Sequence, residues 1–360
     1  MMIKTSERIK QYLLKNRQAS GSELADYLGI TDRAVRKQLA ALLGKNQITK
    51  KGRPPKVFYQ LATAFIPGVS ISLSPKQTEI INANYLIITP GGEKMAGVNG
   101  FAYWCVKTNQ PLEKTAKDYV LALAKYQRYR RQGLISGMSK LKHTFDRVYL
   151  DKLYYLDFYS LERFGKTKLG QLLLYAKQSQ DKSLIGELVG SIKKPVKQLI
   201  IKHKIASVGF IPPTVKRQVQ LMKELQKKLQ LNLRLMALTK IKTTVIVPQK
   251  TLTKLADRIE NAKQTIVVAE TGRHDNVLLI DDAVGSGATL NETAAQIRAK
   301  KLVKGKIIGL AITGSFKGFE VISEVQDGKV NFGFGLPVVA MAVFAPEQAA
   351  GEVLLEISTG

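Results

Sequence analysis

Cysteine and histidine are scarce in this sequence of 360 residues, and their scarcity excludes several kinds of site. The single cysteine, Cys105, has no partner for an intrachain disulfide and excludes a zinc site built on several cysteines. The histidines, His143, His203 and His274, lie too far apart along the chain to form a metal-ligand motif. We therefore predict no resident metal held by these residue types.

Long hydrophobic runs are also missing. The N-terminus carries charges throughout, unlike a signal peptide. The longest late uncharged run, 330–346, contains Gly333, Gly335 and Pro337 and is shorter than the roughly 20 residues of a membrane span. We therefore expect a soluble, cytoplasmic protein without a membrane partner.

Acidic residues are few beside basic ones. The chain has 28 Asp and Glu against 56 Lys and Arg, which gives a net charge of +28. This excess favours a polyanionic partner, and nucleic acid before a membrane. A generally basic proteome would produce the same composition, so the motifs have to decide.

The N-terminal segment has the periodicity of three short helices. Apolar residues four apart predict the first two helices over 6–16 and 22–28. Gly29 suits the left-handed turn that ends the second helix, and Thr31 is a good N-cap for a third helix that runs to about Leu43.

The third helix has two separate faces. Its predicted core face contains Val35, Leu39 and Leu42. A different face is basic and consists of Arg33, Arg36 and Lys37. The second and third predicted helices form the helix-turn-helix, and the later helix of such a motif enters the DNA major groove. The basic outer face of this third helix suits that role.

A predicted hairpin follows, with strands over 47–51 and 57–61 and a basic Gly-Pro tip over 52–56. Its basic residues can contact phosphates or a minor groove; they are Lys51, Arg53 and Lys56. Together these 60 residues resemble the winged helix-turn-helix of bacterial and archaeal transcription regulators, which implies binding to duplex DNA. Because such regulators commonly read two half-sites, we also expect a homodimer. The alternative is a helical protein-interaction domain whose basic faces are solvated.

The most specific motif lies much later in the chain. Val277–Ile280 reads as a buried strand, Asp281 and Asp282 stand at its carboxyl end, and a helix is predicted from Leu290. The small residues between them predict a turn that cradles a phosphate, because glycines allow close backbone approach and hydroxyls add donors. This turn consists of Ala283, Val284, Gly285, Ser286, Gly287, Ala288 and Thr289.

The motif resembles the ribose-phosphate loop of type I phosphoribosyltransferases. The resemblance implies that Asp281 and Asp282 contact ribose hydroxyls or help to hold a hydrated Mg²⁺, and that residues 283–289 hold the 5′-phosphate. The implied ligand is phosphoribosyl pyrophosphate, with Mg²⁺, or a nucleotide. A generic strand-to-helix turn is the alternative.

Residues 154–189, 207–217 and 249–261 extend the likeness to the competence-associated ComF type of phosphoribosyltransferase. The resemblance implies a pyrophosphate loop in which Lys216 and Arg217 bind phosphate. Gln-Val-Gln follows Arg217, whereas the family usually has Gly-Phe-Asn there.

These patterns predict a multi-domain α/β protein, with a winged helix-turn-helix followed by a phosphoribosyltransferase-type, Rossmann-like parallel sheet. The predicted segments are 1–62 for DNA binding, 63–150 as an α+β segment of unknown role, 151–325 for the transferase-like domain and 326–360 as a tail.

The domain order resembles that of the purine repressors of Gram-positive bacteria, in which the second domain senses phosphoribosyl pyrophosphate without catalysis. By this analogy we favour a ligand-sensing transcription regulator. An active phosphoribosyltransferase, with Asp281 and Asp282 as its catalytic residues, and a factor for nucleic-acid uptake or repair remain open.

Overall fold

The computed structural model describes residues 4–45, 47–62, 73–215, 217–241, 247 and 251–315, and two short strands at 329–330 and 338–339. Within this part of the chain, no helix is both long enough and apolar enough to cross a bilayer. The predicted tail, 326–360, lies outside the described residues except for the two short strands.

The N-terminal elements are α1 (Thr5–Asn16), β1 (Ala19–Ser20), α2 (Gly21–Leu28), α3 (Asp32–Gly44), β2 (Ile48–Arg53) and β3 (Lys56–Leu61). All three predicted helices are present within about a residue of their expected ends. The β2–β3 hairpin pairs with β1 through β3, which completes a winged helix-turn-helix arrangement.

Local chemistry sets the ends of these helices. Gly29 adopts the left-handed conformation, and its N–H donates to the carbonyl of Ala25 at 2.9 Å. The Thr31 side chain accepts from the N–H of Ala34 and caps α3 as predicted. A capping box between Ser20 and Glu23 begins α2, because each side chain binds the backbone N–H of the other residue.

The middle segment contains α4 (Pro75–Asn84), β4 (Leu86–Ile88), β5 (Lys94–Ala96), α5 (Gly97–Lys107), α6 (Leu112–Gln127), β6 (Arg130–Arg131), β7 (Leu134–Ser136) and α7 (Met138–Thr144). β4 and β5 pair as an antiparallel hairpin. After α6, Arg130 and Arg131 pair with β7 as an edge strand of the large sheet.

The remaining elements are β8 (Lys152–Phe158), β9 (Ser160–Leu161), β10 (Gly165–Lys166), α8 (Lys168–Ser179), α9 (Lys182–Lys202), β11 (Ser207–Phe210), α10 (Leu221–Leu229), β12 (Arg234–Leu235), β13 (Leu238–Lys240), α11 (Leu255–Thr265), β14 (Ile266–Val268), β15 (Val277–Val284), α12 (Ala288–Ala299) and β16 (Ile307–Gly314). Two further short strands, β17 (Lys329–Val330) and β18 (Val338–Val339), pair with each other.

The described residues form one large sheet of seven strands, in the order β12–β11–β15–β16–β8–β7–β6. Neighbours from β12 to β8 are parallel, whereas β7 and β6 form an antiparallel edge. The predicted parallel α/β sheet is therefore present, with an antiparallel edge.

Helices cover both faces of this sheet. One face packs against α8, α9 and α10, and the other packs against α12 and helices of the middle segment. The hydrophobic core on the second face contains both Tyr119 of α6 and Leu279 of β15. The core therefore includes residues from before and after residue 150. The segment limits predicted at residues 62, 150 and 325 stay predictions.

Candidate functional site

A cleft of about 220 Å³ opens at the carboxyl ends of β11 and β15, which are neighbouring parallel strands. After β11 the chain continues to α10 on one face of the sheet, and after β15 it continues to α12 on the opposite face. Diverging connections of this kind open a crevice at the sheet edge, where α/β proteins bind ligands.

Asp281 and Asp282 line this cleft from within β15, because the strand continues to Val284. Successive strand residues point to opposite faces, so these adjacent carboxylates diverge. Asp282 faces α8, where the Lys177 Nζ lies 2.5 Å from its Oδ2. Lys240 of β13 interacts favourably with the Asp281 carboxylate. The pair therefore has cationic neighbours on two different elements.

The electrostatic environment of Asp281 is unusual. Burial, and to a lesser degree the neighbouring Asp282, raise the pKa of Asp281 to about 7. The Asp282 N–H donates to the Asp281 Oδ1 at 2.8 Å and opposes this change. In its protonated form, the Asp281 carboxyl can donate a hydrogen bond as well as accept one.

The turn after β15 is shorter than predicted and contains only Gly285, Ser286 and Gly287. Ala283 and Val284 remain in the strand because their pairing with β16 continues, and Ala288 and Thr289 already belong to α12. The N-cap of α12 is Gly287, which contributes no side-chain cap, while the Ser286 Oγ accepts from the Ala288 N–H of the first turn at 3.3 Å. This helix end lines the cleft, as an anion site requires.

The two glycines of this turn have different roles. Gly287 has a φ of +89°, and a Cβ there would lie 2.6 Å from the Leu141 Cδ1. Its conformation and a core contact therefore require glycine. A Cβ on Gly285 would instead have the Arg258 Nη1, at 3.5 Å, as its neighbour. Gly285 is thus the glycine open to the cleft.

Arg217 is the predicted phosphate-binding residue that the structure places beside the motif. It lines the cleft, and its Nη1 donates to the Lys177 carbonyl oxygen at 2.7 Å. This bond joins the loop before α10 to the end of α8. Lys216 lies outside the described residues.

Two further cations in the cleft were not predicted. Lys240 donates from its Nζ to the Thr214 Oγ1 at 2.7 Å, and burial lowers the pKa of this lysine. Arg258 of α11 is only 5% exposed, and burial also lowers the pKa of its guanidinium. Arg258 falls in the segment with ComF likeness, whereas nothing near Lys240 distinguishes it from the other lysines.

A second basic surface lies on the N-terminal domain. Val35, Leu39 and Leu42 of α3 are buried, as predicted. The outer face of the same helix is exposed and carries Arg33, Arg36 and Lys37. The predicted separation of a core face from a basic face is therefore present.

The strands of the wing are longer than predicted, and the turn between them is shorter. Arg53 and Lys56 are opposite each other in the hairpin, so its turn contains only Pro54 and Pro55. Both basic residues are exposed, whereas Lys51 is only partly exposed because it points to the other side of β2 from Lys50. Lys50 is therefore the better placed lysine for a DNA contact.

Comparison with known proteins agrees with this N-terminal geometry. Residues 5–54 match the family described as "HTH domain", a range that spans the three helices and β2. The chain has an N-terminal helix-turn-helix domain of the DNA-binding type. No curated protein matches the chain.

Proposed function

We propose that this protein is a transcription regulator that binds duplex DNA through its N-terminal domain and senses a phosphorylated ribose ligand in the cleft at 281–289. The candidate ligands are phosphoribosyl pyrophosphate and nucleotides. The helix-turn-helix match and the exposed basic face of α3 support the DNA-binding half.

One observation carries the ligand-binding half. Paired carboxylates, a glycine turn, the N-terminus of α12 and Arg217 converge on one cleft at a point where strand connections diverge. Carboxylates accept hydrogen bonds from sugar hydroxyls, while backbone N–H groups and arginine bind phosphate oxygens. A ribose with anionic groups at both ends matches this division of chemistry.

Magnesium fits this proposal as part of the ligand. Within the described residues, no three His, Cys, Asp or Glu side chains are arranged to hold a metal. Mg²⁺ commonly needs only one or two protein carboxylates when ligand phosphates supply the other oxygens. Asp281 and Asp282 are the residues that would hold it, and it would neutralise part of the pyrophosphate charge.

Ligand-induced thermal stabilisation tests the ligand half directly. A ligand at about 100 times its Kd adds roughly 2.7 kcal/mol to the free energy of unfolding. We expect stabilisation by phosphoribosyl pyrophosphate with Mg²⁺ or by a nucleoside monophosphate, and none by glucose. Absence of stabilisation at millimolar concentrations of every phosphorylated compound would contradict the proposal.

Footprinting on a selected DNA site, with and without ligand, tests the regulator. A linked sensor changes its DNA affinity when ligand binds, because coupling between two sites is reciprocal. Release of pyrophosphate in the presence of purine or pyrimidine bases would instead identify a working transferase. Sedimentation at micromolar protein tests the proposed homodimer.

A further inference from the structure

Four exposed lysines meet at the edge of the large sheet opposite the cleft. The parallel strands β8, β11, β15 and β16 all begin at this edge. Lys152 is the first residue of β8, and Lys306 directly precedes β16. Lys202 and Lys204 stand at the turn from α9 to β11. Three separate connections therefore bring these cations, which we call the lysine cluster, to one edge.

The ring of His203 lies among these lysines. Its centroid is 5.5 Å from that of Tyr154, which follows Lys152 by two residues on the same face of β8. Burial lowers the pKa of His203, and so do, to a lesser degree, the charges of Lys202, Lys306 and Lys152. These lysines therefore share one region of positive potential and are not spread over separate surfaces.

Asn276 fixes the backbone beneath two members of the lysine cluster. Its Nδ2 donates to the carbonyl oxygens of His203 at 2.9 Å and Lys204 at 3.2 Å. Its Oδ1 accepts from the Lys306 N–H at 2.8 Å. One side chain thus joins the turn after α9 to the loop before β16, so the fold itself sets the spacing of these lysines.

Acidic side chains do not neutralise the lysine cluster. Elsewhere a lysine such as Lys94 pairs with Glu187 at 2.6 Å, but none of the four forms an ion pair within the described part of the chain. Asp151, directly before β8, pairs instead with Arg298 at 2.6 Å. The other carboxylate at this edge is Asp275, which leaves a clear excess of positive charge. Like charges held together repel each other, so a bound polyanion would stabilise this arrangement.

The chemistry of the cluster favours duplex DNA as that polyanion. A lysine ammonium is a point charge on a flexible stem, which suits contacts with backbone phosphates that carry no sequence information. The same chain has a helix-turn-helix of the DNA-binding type. A membrane surface also attracts lysines, but segments that lie in a membrane present an extended apolar face. Among the described residues next to the cluster, Ile201 is the one large exposed apolar side chain.

We propose that the lysine cluster binds the phosphate backbone of duplex DNA without sequence preference, at a surface separate from α3 and from the ligand cleft. This inference rests on the DNA-binding half of the proposed function and is independent of the ligand half. Contacts of this kind hold a regulator on DNA outside its specific sites.

The test uses the full chain and fluorescence anisotropy with a labelled duplex of arbitrary sequence at several salt concentrations. The edge variant removes four charges through Lys152→Gln, Lys202→Gln, Lys204→Gln and Lys306→Gln. We expect its affinity to fall at least about tenfold near roughly 0.1 M salt. The slope of log affinity against log salt should become shallower by about 2–4, because each phosphate contact contributes roughly 0.9 to it.

A matched control removes the same number of charges from exposed lysines of α4, α5 and α6, through Lys76→Gln, Lys107→Gln, Lys114→Gln and Lys117→Gln. Because both variants have the same net charge, the control accounts for long-range attraction. We expect its affinity to stay within about threefold of the unaltered protein and its salt slope to be unchanged, since salt screens distant charges.

Lysine acetylation of the unaltered protein, with and without the duplex, gives a second measurement that does not depend on the folding of any variant. DNA should protect the lysine cluster from acetylation and leave the four control lysines reactive. Vesicles of equimolar phosphatidylserine and phosphatidylcholine test the membrane as the partner instead.

The outcomes are distinguishable. If the unaltered protein binds no duplex at low salt, the DNA-binding half of the proposed function fails and this inference fails with it. If it binds duplex and the edge and control variants have equal affinities, only this inference is overturned. Equal acetylation of the cluster with and without DNA would also overturn it. Vesicle binding that the edge variant loses, with its DNA affinity unchanged, would assign the cluster to a membrane.

Discussion

The basic regions of α3 and of the cleft present their charges in opposite ways. On α3 the cations Arg33, Arg36 and Lys37 are exposed to solvent. In the cleft, Arg258 is buried, and Lys177 and Lys240 are hydrogen-bonded to Asp282 and Thr214. The first arrangement suits long-range attraction to a polyanion, and the second suits recognition of one small anion.

This contrast has a physical origin. Exposed charges interact through water, so their attraction to a phosphate backbone falls as salt rises. Partly buried charges are screened less, and their fixed positions add geometric selectivity. We therefore expect DNA binding to be salt-sensitive and the proposed ligand binding in the cleft to be salt-resistant, so variants should be able to remove one function without the other.

The largest effect is expected from removing the basic face of α3. The triple variant Arg33→Ala, Arg36→Ala, Lys37→Ala should weaken DNA binding by at least about 100-fold at moderate salt, since each base contact contributes about 1–3 kcal/mol. The slope of log affinity against log salt should also become shallower. Fluorescence anisotropy of the full chain with labelled duplex measures both quantities.

The double variant Lys15→Ala, Arg17→Ala is the control, because it removes exposed charge from α1 and its end but not from α3. Cleft ligands should bind both variants like the unaltered protein. Equal DNA affinity of the triple and control variants would show that α3 does not enter the groove.

A pair of glycine substitutions should separate the cleft from the fold. Gly287→Val should destabilise the protein by about 2–4 kcal/mol, because it forces a β-branched residue to positive φ and against Leu141. Gly285→Val should retain the fold and reduce ligand binding at least tenfold. Urea unfolding and calorimetry measure the two effects, and a reversed pattern would contradict the assigned roles of the glycines.

Local patterns predicted most of the N-terminal domain. Helix spacing, Gly29 and the Thr31 cap act within a few residues, so the sequence alone fixes the ends of α2 and α3 closely. The wing turn was less well predicted, because the pairing of Arg53 with Lys56 depends on the partner strand. Local sequence signals were sufficient to predict the elements whose ends depend on residues close together in the sequence.

The cleft could be predicted only in part. The motif at 281–289 indicated a strand, a turn and a helix, but the end of β15 depends on its pairing with β16, about 30 residues later. Arg258 and Lys240 reach the cleft through tertiary packing, which no local pattern records. The contact between Gly287 and Leu141 could not be predicted for the same reason, because Leu141 belongs to a distant helix.

The raised pKa of Asp281 predicts a moderate effect of pH on stability. In the native state the Asp281 carboxyl loses its proton near pH 7. In the unfolded chain the same carboxyl, with an ordinary pKa near 3.8, loses its proton at lower pH. The free energy of unfolding should therefore fall as pH rises from about 4 to about 7. Lys177 and Lys240 counteract but do not reverse this direction.

Asp281→Asn should remove this fall, so the variant should be more stable than the unaltered protein at pH 8 and closer to it at pH 4.5. Urea midpoints at several pH values provide the measurement. Asp275→Asn, an exposed residue just before the same strand, is the control and should follow the unaltered protein. Parallel pH profiles for all three proteins would refute the assignment to Asp281.

The smallest effect is expected for the ion pair of Lys177 and Asp282 as a contribution to stability. The contact is short, at 2.5 Å, but the Lys177 side chain is 37% exposed. Pairs of this exposure contribute about 0.2–1 kcal/mol, because solvent screens the attraction and the lysine loses rotamer freedom. A double-mutant cycle with Lys177→Met and Asp282→Asn should therefore give a coupling free energy below about 1 kcal/mol in urea unfolding.

The same variants should affect ligand binding more strongly, because Asp282 is proposed to accept hydrogen bonds from the ribose. A coupling of 3 kcal/mol or more, near the roughly 3–5 kcal/mol lost when a buried pair is broken, would show that these charges serve the fold and would remove the contrast between the two basic regions.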